Sequence, residues 1–196
     1  MAQTDARGTP LVLASASPRR LDLLRQIGIV PDRVVSPEID EAPLCAELPR
    51  SYALRVARAK AVAVPPAACL VLAADTVVAV GRRILPKAET EAEAQRCLTL
   101  LSGRRHRVLT AVVLVTPDGR RSERLVTSIV AFSRLTAPQL AAYLAGGEWR
   151  GKAGGYAIQG TAAAFVRFLS GSYSNVVGLP LFETAQLLRG AGWLVP

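Results

Sequence analysis

Apolar runs of strand length alternate with helix-period segments along almost the whole of this 196-residue chain, and that alternation admits few folds. It is the signature of an α/β architecture, in which helices flank a central sheet. Leu11 to Ser15 forms the first buried strand of this pattern. A helix is expected from about Pro18 to Ile27, with Leu21, Leu24 and Ile27 on one face, Ser17 at its N-cap and Gly28 at its end. A second helix runs from about Pro49 to Val64 and is ended by Pro65-Pro66. Cys69 to Val80 has strand character interrupted by one charge, Asp75. Thr90 and Glu93 have capping-box spacing ahead of a helix to Leu101, with Gly103 after it. Val108 to Val115 and Glu123 to Phe132 form a hairpin across the turn Pro117-Asp118-Gly119. Thr136 and Gln139 repeat the capping-box spacing before a helix to about Ala145. Then come a glycine-rich loop from Gly146 to Gly160, a strand near Ala163 to Leu169, a polar loop from Ser170 to Asn175, and a closing helix from about Pro180 to Arg189.

Composition narrows the chemistry. A single His and three scattered Cys cannot build a two-histidine metal site or a zinc ribbon. Apolar residues make up 51% of the chain, enough to bury one substantial core, and soluble chains below about 250 residues usually form one such unit. One globular domain spanning 1–196 is therefore expected, with residues 1–10 a flexible start. The longest apolar stretch, Ala61 to Ala74, is split by Pro65-Pro66 and falls short of the roughly 20 residues of a bilayer-spanning helix. A cytoplasmic protein with unpaired cysteines and no membrane association is the expectation. The formal charge is +9, and of the basic residues only Lys60, Lys87 and Lys152 are lysines, so each marks a place where a compact ammonium could matter.

Four segments carry chemistry. In Ser15-Ala-Ser-Pro-Arg-Arg20 two arginines stand in the first turn of a helix, against the macrodipole, where a strand meets a helix. A phosphate there would relieve their repulsion and accept hydrogen bonds from Ser15 and Ser17; the alternative is that both arginines point into solvent. Asp75 has apolar residues on both sides, so it needs a metal ion, a cationic neighbour or a turn that exposes it. At a strand end beside a phosphate site it could bind Mg²⁺ or activate water; an Asx-turn aspartate between two strands is the alternative. The acidic pair Asp40-Glu41 gains weight only if a triphosphate site needs a divalent ion, because His and Cys are too few to bind one. Gly151-Lys-Ala-Gly-Gly-Tyr-Ala-Ile-Gln-Gly160 has four glycines in ten residues, which argues for close backbone approach to a ligand. Gln159 there offers both a donor and an acceptor to a base edge. P-loop and GxGxxG templates are absent, which disfavours a P-loop kinase and a Rossmann dehydrogenase. His106 sits among arginines at a strand start and reads as structural, so a Ser-His-Asp hydrolase is disfavoured too.

Leu-Ala-Ser-Ala-Ser-Pro-Arg-Arg20, Ala-Asp75-Thr, Leu-Ser-Gly-Arg104 with His106, Lys152-Ala-Gly-Gly-Tyr-Ala-Ile-Gln159-Gly and Gly171-Ser-Tyr-Ser-Asn-Val-Val-Gly-Leu-Pro180 resemble, in order, the motifs of the Maf family of nucleoside triphosphate pyrophosphatases. The resemblance implies a Maf/ITPase-like α/β fold, a mixed twisted sheet with flanking helices and two lobes around a central cleft. It also implies hydrolysis of a nucleoside triphosphate between its α- and β-phosphates with Mg²⁺ or Mn²⁺. In that family the aspartate matching Asp75 is the proposed proton acceptor, and the glutamate matching Glu41 lies near the metal; the expectation for this chain is Mg²⁺ held by Asp75 and Glu41. Residues matching Arg19, Thr76 and Gln159 are linked to substrate choice, and their combination resembles the dTTP/UTP branch, with modified pyrimidine nucleotides also open. Those matching Ser15, Arg20, Lys60 and Lys87 are expected around the phosphates. This chain departs from the family's common residues at Ala88, Arg105 and Gly151, where a proline, a threonine and an aspartate are usual.

The rival class is a non-enzymatic protein, a nucleic-acid binder drawn from the +9 charge or a regulator of septum formation, a role also reported in the family. Aromatic residues are only 5% of the chain and the arginines are dispersed, so stacking platforms for single strands are lacking and no nucleic-acid partner is expected. A nuclease or phosphatase would use the same acids on a different bond. Oligomeric state stays open, a homodimer included.

Overall fold

The computed structural model describes residues 8–65 and 68–195. The elements are β1 (Leu11–Ala14), α1 (Pro18–Gln26), β2 (Arg33–Val35), α2 (Pro49–Val62), β3 (Leu70–Val80), β4 (Arg83–Leu85), β5 (Lys87–Ala88), α3 (Glu91–Leu101), β6 (Arg105–Val115), β7 (Arg121–Phe132), α4 (Ala137–Gly146), β8 (Lys152–Ala153), a 3-10 turn (Thr161–Phe165), β9 (Val166–Ser170), α5 (Tyr173–Val177) and α6 (Leu181–Gly190). Among the described residues the main sheet runs β2-β1-β3-β6-β7-β9, with β4 paired to β3. It is mixed, as expected: β2, β1 and β3 are parallel, and β6, β7 and β9 follow antiparallel. A short ribbon, β5 with β8, lies apart from it.

Alternation of side chains along β3 divides the core. Val71, Ala73, Val77 and Ala79 pack beneath Tyr52, Val56 and Ala57 of α2, while Leu70, Leu72 and Ala74 face Leu23 and Leu24 of α1 and Leu187 and Leu188 of α6. A third cluster, with Leu98 and Leu101 of α3, Tyr143 of α4, Phe132, Trp149 and Phe165, builds the other lobe. The cleft lies at a break in the edge of β3. β1 pairs with it only as far as Ala14 opposite Ala73, and β4 takes over at Leu85 opposite Val78. Residues 74–77 thus have a strand partner on the β6 side only, and the chain leaving β1 turns across this gap into α1.

Several expectations need correcting. Asp75 does not interrupt a strand or sit in a turn; it lies within one continuous strand, opposite Ala111 of β6. Ser17 holds the N-cap position of α1 without a side-chain capping bond, and Ser15 Oγ accepts from the Ser17 N–H instead, at 3.2 Å. The strand placed near Ala163 to Leu169 is a 3-10 turn followed by β9, because Ala162 and Phe165, three apart, both turn into the core. The polar loop from Ser170 to Asn175 contains the start of α5, capped by Ser172. Both capping boxes form as read. The second proline of the stop at Pro65-Pro66, and residues 1–7 of the flexible start, lie outside the described residues. No helix among the described residues is long and apolar enough to cross a membrane.

Candidate active site

All nine residues that the Maf resemblance assigns to the site, Ser15, Arg19, Arg20, Glu41, Lys60, Asp75, Thr76, Lys87 and Gln159, line one cleft of about 400 Å³, whereas Asp40 does not. Its floor is an ion network. Lys60, on the face of α2 that packs on the sheet, directs Nζ to Asp75 Oδ1 at 2.7 Å and to Glu41 Oε1 at 2.9 Å. Glu41 also accepts from Lys87 Nζ of β5. The loop carrying Glu41 is fastened by α2 itself, where the Tyr52 hydroxyl donates to the Glu41 carbonyl at 2.9 Å and Arg55 donates to that of Ala42. Lys60 and Asp75 are 5% and 2% exposed, so each ion needs the other; an isolated charge there would be costly. Burial alone would raise the Glu41 carboxyl, but hydrogen bonds from Lys87 and Lys60 outweigh it and hold that group below the ordinary carboxylate range.

Thr76 leaves the opposite face of β3 and meets Arg20. That arginine does not point into solvent. It is 7% exposed, and it donates from Nε to the Gly178 carbonyl at 2.8 Å, from Nη1 to Ser15 Oγ at 2.8 Å and from Nη2 to Thr76 Oγ1 at 3.2 Å. Thr76 is braced in turn by Thr110 Oγ1 at 2.9 Å. Three of the five guanidinium donors are thereby used to fix the group, and two remain for a ligand in the cleft. Burial lowers the Arg20 pKa, and the nearby Asp75 charge works against that lowering. Arg19 is half-buried at the cleft wall, its pKa also lowered by burial.

The far wall is the glycine-rich loop. Gly154 and Gly155 have φ of +67° and +70°, and a Cβ at Gly154 would stand 2.9 Å from Val78 Cγ1 of β3, so only glycine lets the loop lie this close. Two phenols tie it to the lobe behind: the Tyr143 hydroxyl accepts from the Ala157 N–H at 3.2 Å, and the Tyr156 hydroxyl pairs with His106 Nε2 at 2.8 Å. His106 is structural, as read. Burial pushes its pKa down to about 4, so the ring is neutral at pH 7. Gln159, exposed at the end of this loop, lines the cleft.

Sequence reasoning left several lining residues unassigned, among them Ser36, Glu89, Arg150, Lys152 and Tyr156. The scarcity of lysine was a usable signal for Lys152; for the Gly178 carbonyl there was none, since a backbone acceptor leaves no mark on residue type. Six basic side chains face three acidic ones in the cleft, an excess of three positive charges. Two carboxylates that meet at a single ammonium form a hard-oxygen donor pair, which suits Mg²⁺ or Mn²⁺ completed by phosphate oxygens and water. Ala88, Arg105 and Gly151 are all outside the ion network: Ala88 is buried in the ribbon, and Arg105 stacks over Phe168.

The family model described as Maf-like protein matches residues 10–191. The chain belongs to the Maf family. Its similarity to curated Maf relatives is extensive. It is 67% identical over 186 residues to the dTTP/UTP pyrophosphatase of Rhodospirillum rubrum, covering 94% of this chain and 89% of that one. Identity to the dTTP/UTP pyrophosphatase of Granulibacter bethesdensis is 61% over 209 residues, covering 98% of each chain. Among solved structures, the Staphylococcus aureus Ham1 protein aligns with this Maf chain at a TM-score of 0.44 and 18% identity, over 63% of this chain and 71% of that one.

Proposed function

We propose that this Maf protein is a nucleoside triphosphate pyrophosphatase that hydrolyses dTTP and UTP to the monophosphate and pyrophosphate. The observation that carries the reading is the pairing of one buried carboxylate, Asp75, with a cleft lined by Arg20, Lys60 and Lys87. The names of relatives at this level of identity support the choice of substrate.

The triphosphate lies with its anionic chain against Arg20, Lys60 and Lys87, whose charges favour pyrophosphate as it leaves. Asp75 accepts a proton from the water that attacks the α-phosphorus. Asp75 and Glu41 would hold a divalent cation, which supplies neutralisation of the phosphate charge when bound. Gln159 meets the uracil or thymine edge, its carbonyl accepting from N3–H and its amide donating to O4. Arg19 closes the cleft beside it, and Thr76 acts through its bond to Arg20.

The test is product analysis after incubation with UTP, dTTP, CTP, ATP, GTP and 7-methyl-GTP plus Mg²⁺. Monophosphate and pyrophosphate from UTP and dTTP in preference to the others support the assignment. Orthophosphate release, or inertness toward all six, overturns it.

A further inference from the structure

The place where Asp75 and Glu41 come together is already taken by a cation of the protein's own. Lys60 Nζ stands 2.7 Å from one carboxylate and 2.9 Å from the other, within bonding distance of both. Its stem runs along the buried face of α2 and the side chain is 7% exposed, so the ammonium is held between the two carboxylates with the cleft as its one open side. Lys87 takes the second oxygen of Glu41. A divalent ion on these two carboxylates would need oxygens at about 2.0–2.1 Å in octahedral array, with the Lys60 ammonium in the same small space and like in sign. The rest of the cleft offers such an ion no compensation, because its charge is already in excess on the positive side. A polyphosphate reverses that balance, and its oxygens give Lys60 a second anion to bond, on the cleft side of the carboxylates.

We propose that Lys60 is a placeholder cation: it blocks metal binding at Asp75 and Glu41 in the free protein and yields those carboxylates only when a polyphosphate draws its ammonium away. Metal and nucleotide therefore bind with strong positive coupling, and the protein takes up the metal–nucleotide complex rather than loading metal first. Coupling of this kind is reciprocal, so metal tightens nucleotide as much as nucleotide tightens metal. The inference rests on the triphosphatase reading for the class of ligand; the exchange itself needs only the three side chains.

The experiment is Mn²⁺ binding followed by electron paramagnetic resonance, which reads metal binding without turnover. With wild-type protein alone, Mn²⁺ binding is expected to be weak. With the non-hydrolysable α,β-imido-dUTP it is expected to tighten by at least about tenfold over the sum of Mn²⁺ binding to protein and to nucleotide separately. Lys60→Met, close in length and without charge, is expected to tighten Mn²⁺ binding to the free protein by about tenfold and to shrink the coupling to nucleotide. Lys87→Met, which removes a cation from Glu41 alone, should do the same to a smaller degree. Tight Mn²⁺ binding by the free wild-type protein, or absence of coupling with the analogue, overturns the proposal even if Lys60→Met does not fold. A folded Lys60→Met protein that binds Mn²⁺ no better than wild type overturns it as well. The hydrolysis reading fails separately, by the wrong products from UTP in the presence of a metal that couples as described.

Discussion

Asp75 and Thr76 are neighbours on one strand, so their side chains leave opposite faces of the sheet and each meets a different cation. That alternation lets one segment of β3 organise both the acid–lysine network and the Arg20 clamp. Asp75→Asn keeps an Oδ1 acceptor for Lys60 while removing the proton-accepting carboxylate. UTP turnover should fall about a thousandfold, with a lowered melting temperature because Lys60 loses a buried counter-charge and keeps only Glu41, and a near wild-type rate would refute the role of Asp75. Gln159 is exposed, and its amide carries both the donor and the acceptor that the proposed pyrimidine contact needs. Gln159→Ala should lower the ratio of kcat/KM for UTP over CTP by about tenfold, and an unchanged ratio would remove it from base selection. These residues were legible in the sequence because each is chemically out of place: a carboxylate in an apolar run, two arginines at the positive end of a helix, and lysines in an arginine-rich chain. Arg20 shows the limit of such reading. That it needed an anionic or acceptor partner could be inferred, whereas its contact with Gly178, 158 residues away, could not.

At the scale of elements, the long periodic segments and capped helices fold as their patterns dictate, and the misses are short. β4, β5, β8 and α5 span two to five residues, too few to display a period; β4 forms as a tight hairpin on β3, β5 and β8 by pairing with each other, and α5 under its Ser172 cap. The β5–β8 ribbon matters most for function, since it sets Lys87 beside the glycine-rich loop. The loop's position depends on Gly154. Gly154→Ala would force a left-handed alanine against Val78, and a loss of about 2 kcal/mol, seen as a lower melting temperature with a raised KM, is expected. A neutral effect on both would mean that the loop does not depend on this close packing. Thr136→Ala removes the side-chain cap of α4, outside the lining of the cleft. It should cost about 1 kcal/mol of stability and leave the kinetics unchanged, a contrast that separates a structural loss from a site effect.

For the molecule as a whole, pH acts through the lobe that holds the glycine-rich loop. His106 is buried, with Nδ1 unpartnered and a folded pKa of about 4 against an ordinary 6.5. A depressed folded pKa means that stability is fully present above pH 6.5 and is lost as pH falls toward 4, because the unfolded chain takes up the proton first. The loss is on the order of 3 kcal/mol over that window. Denaturant titrations of wild type and His106→Phe at several pH values should converge as pH falls; parallel curves would contradict the assignment. The net charge of +9, which first raised a nucleic-acid reading, has a more local meaning in the fold. Inside the cleft it amounts to an excess of three positive charges, which under the proposed reading faces the triphosphate.

Hydrolysis of UTP in ¹⁸O-labelled water tests the central claim most directly. Attack on the α-phosphorus places one labelled oxygen in UMP and leaves pyrophosphate unlabelled. Label in pyrophosphate, or release of orthophosphate, would contradict it.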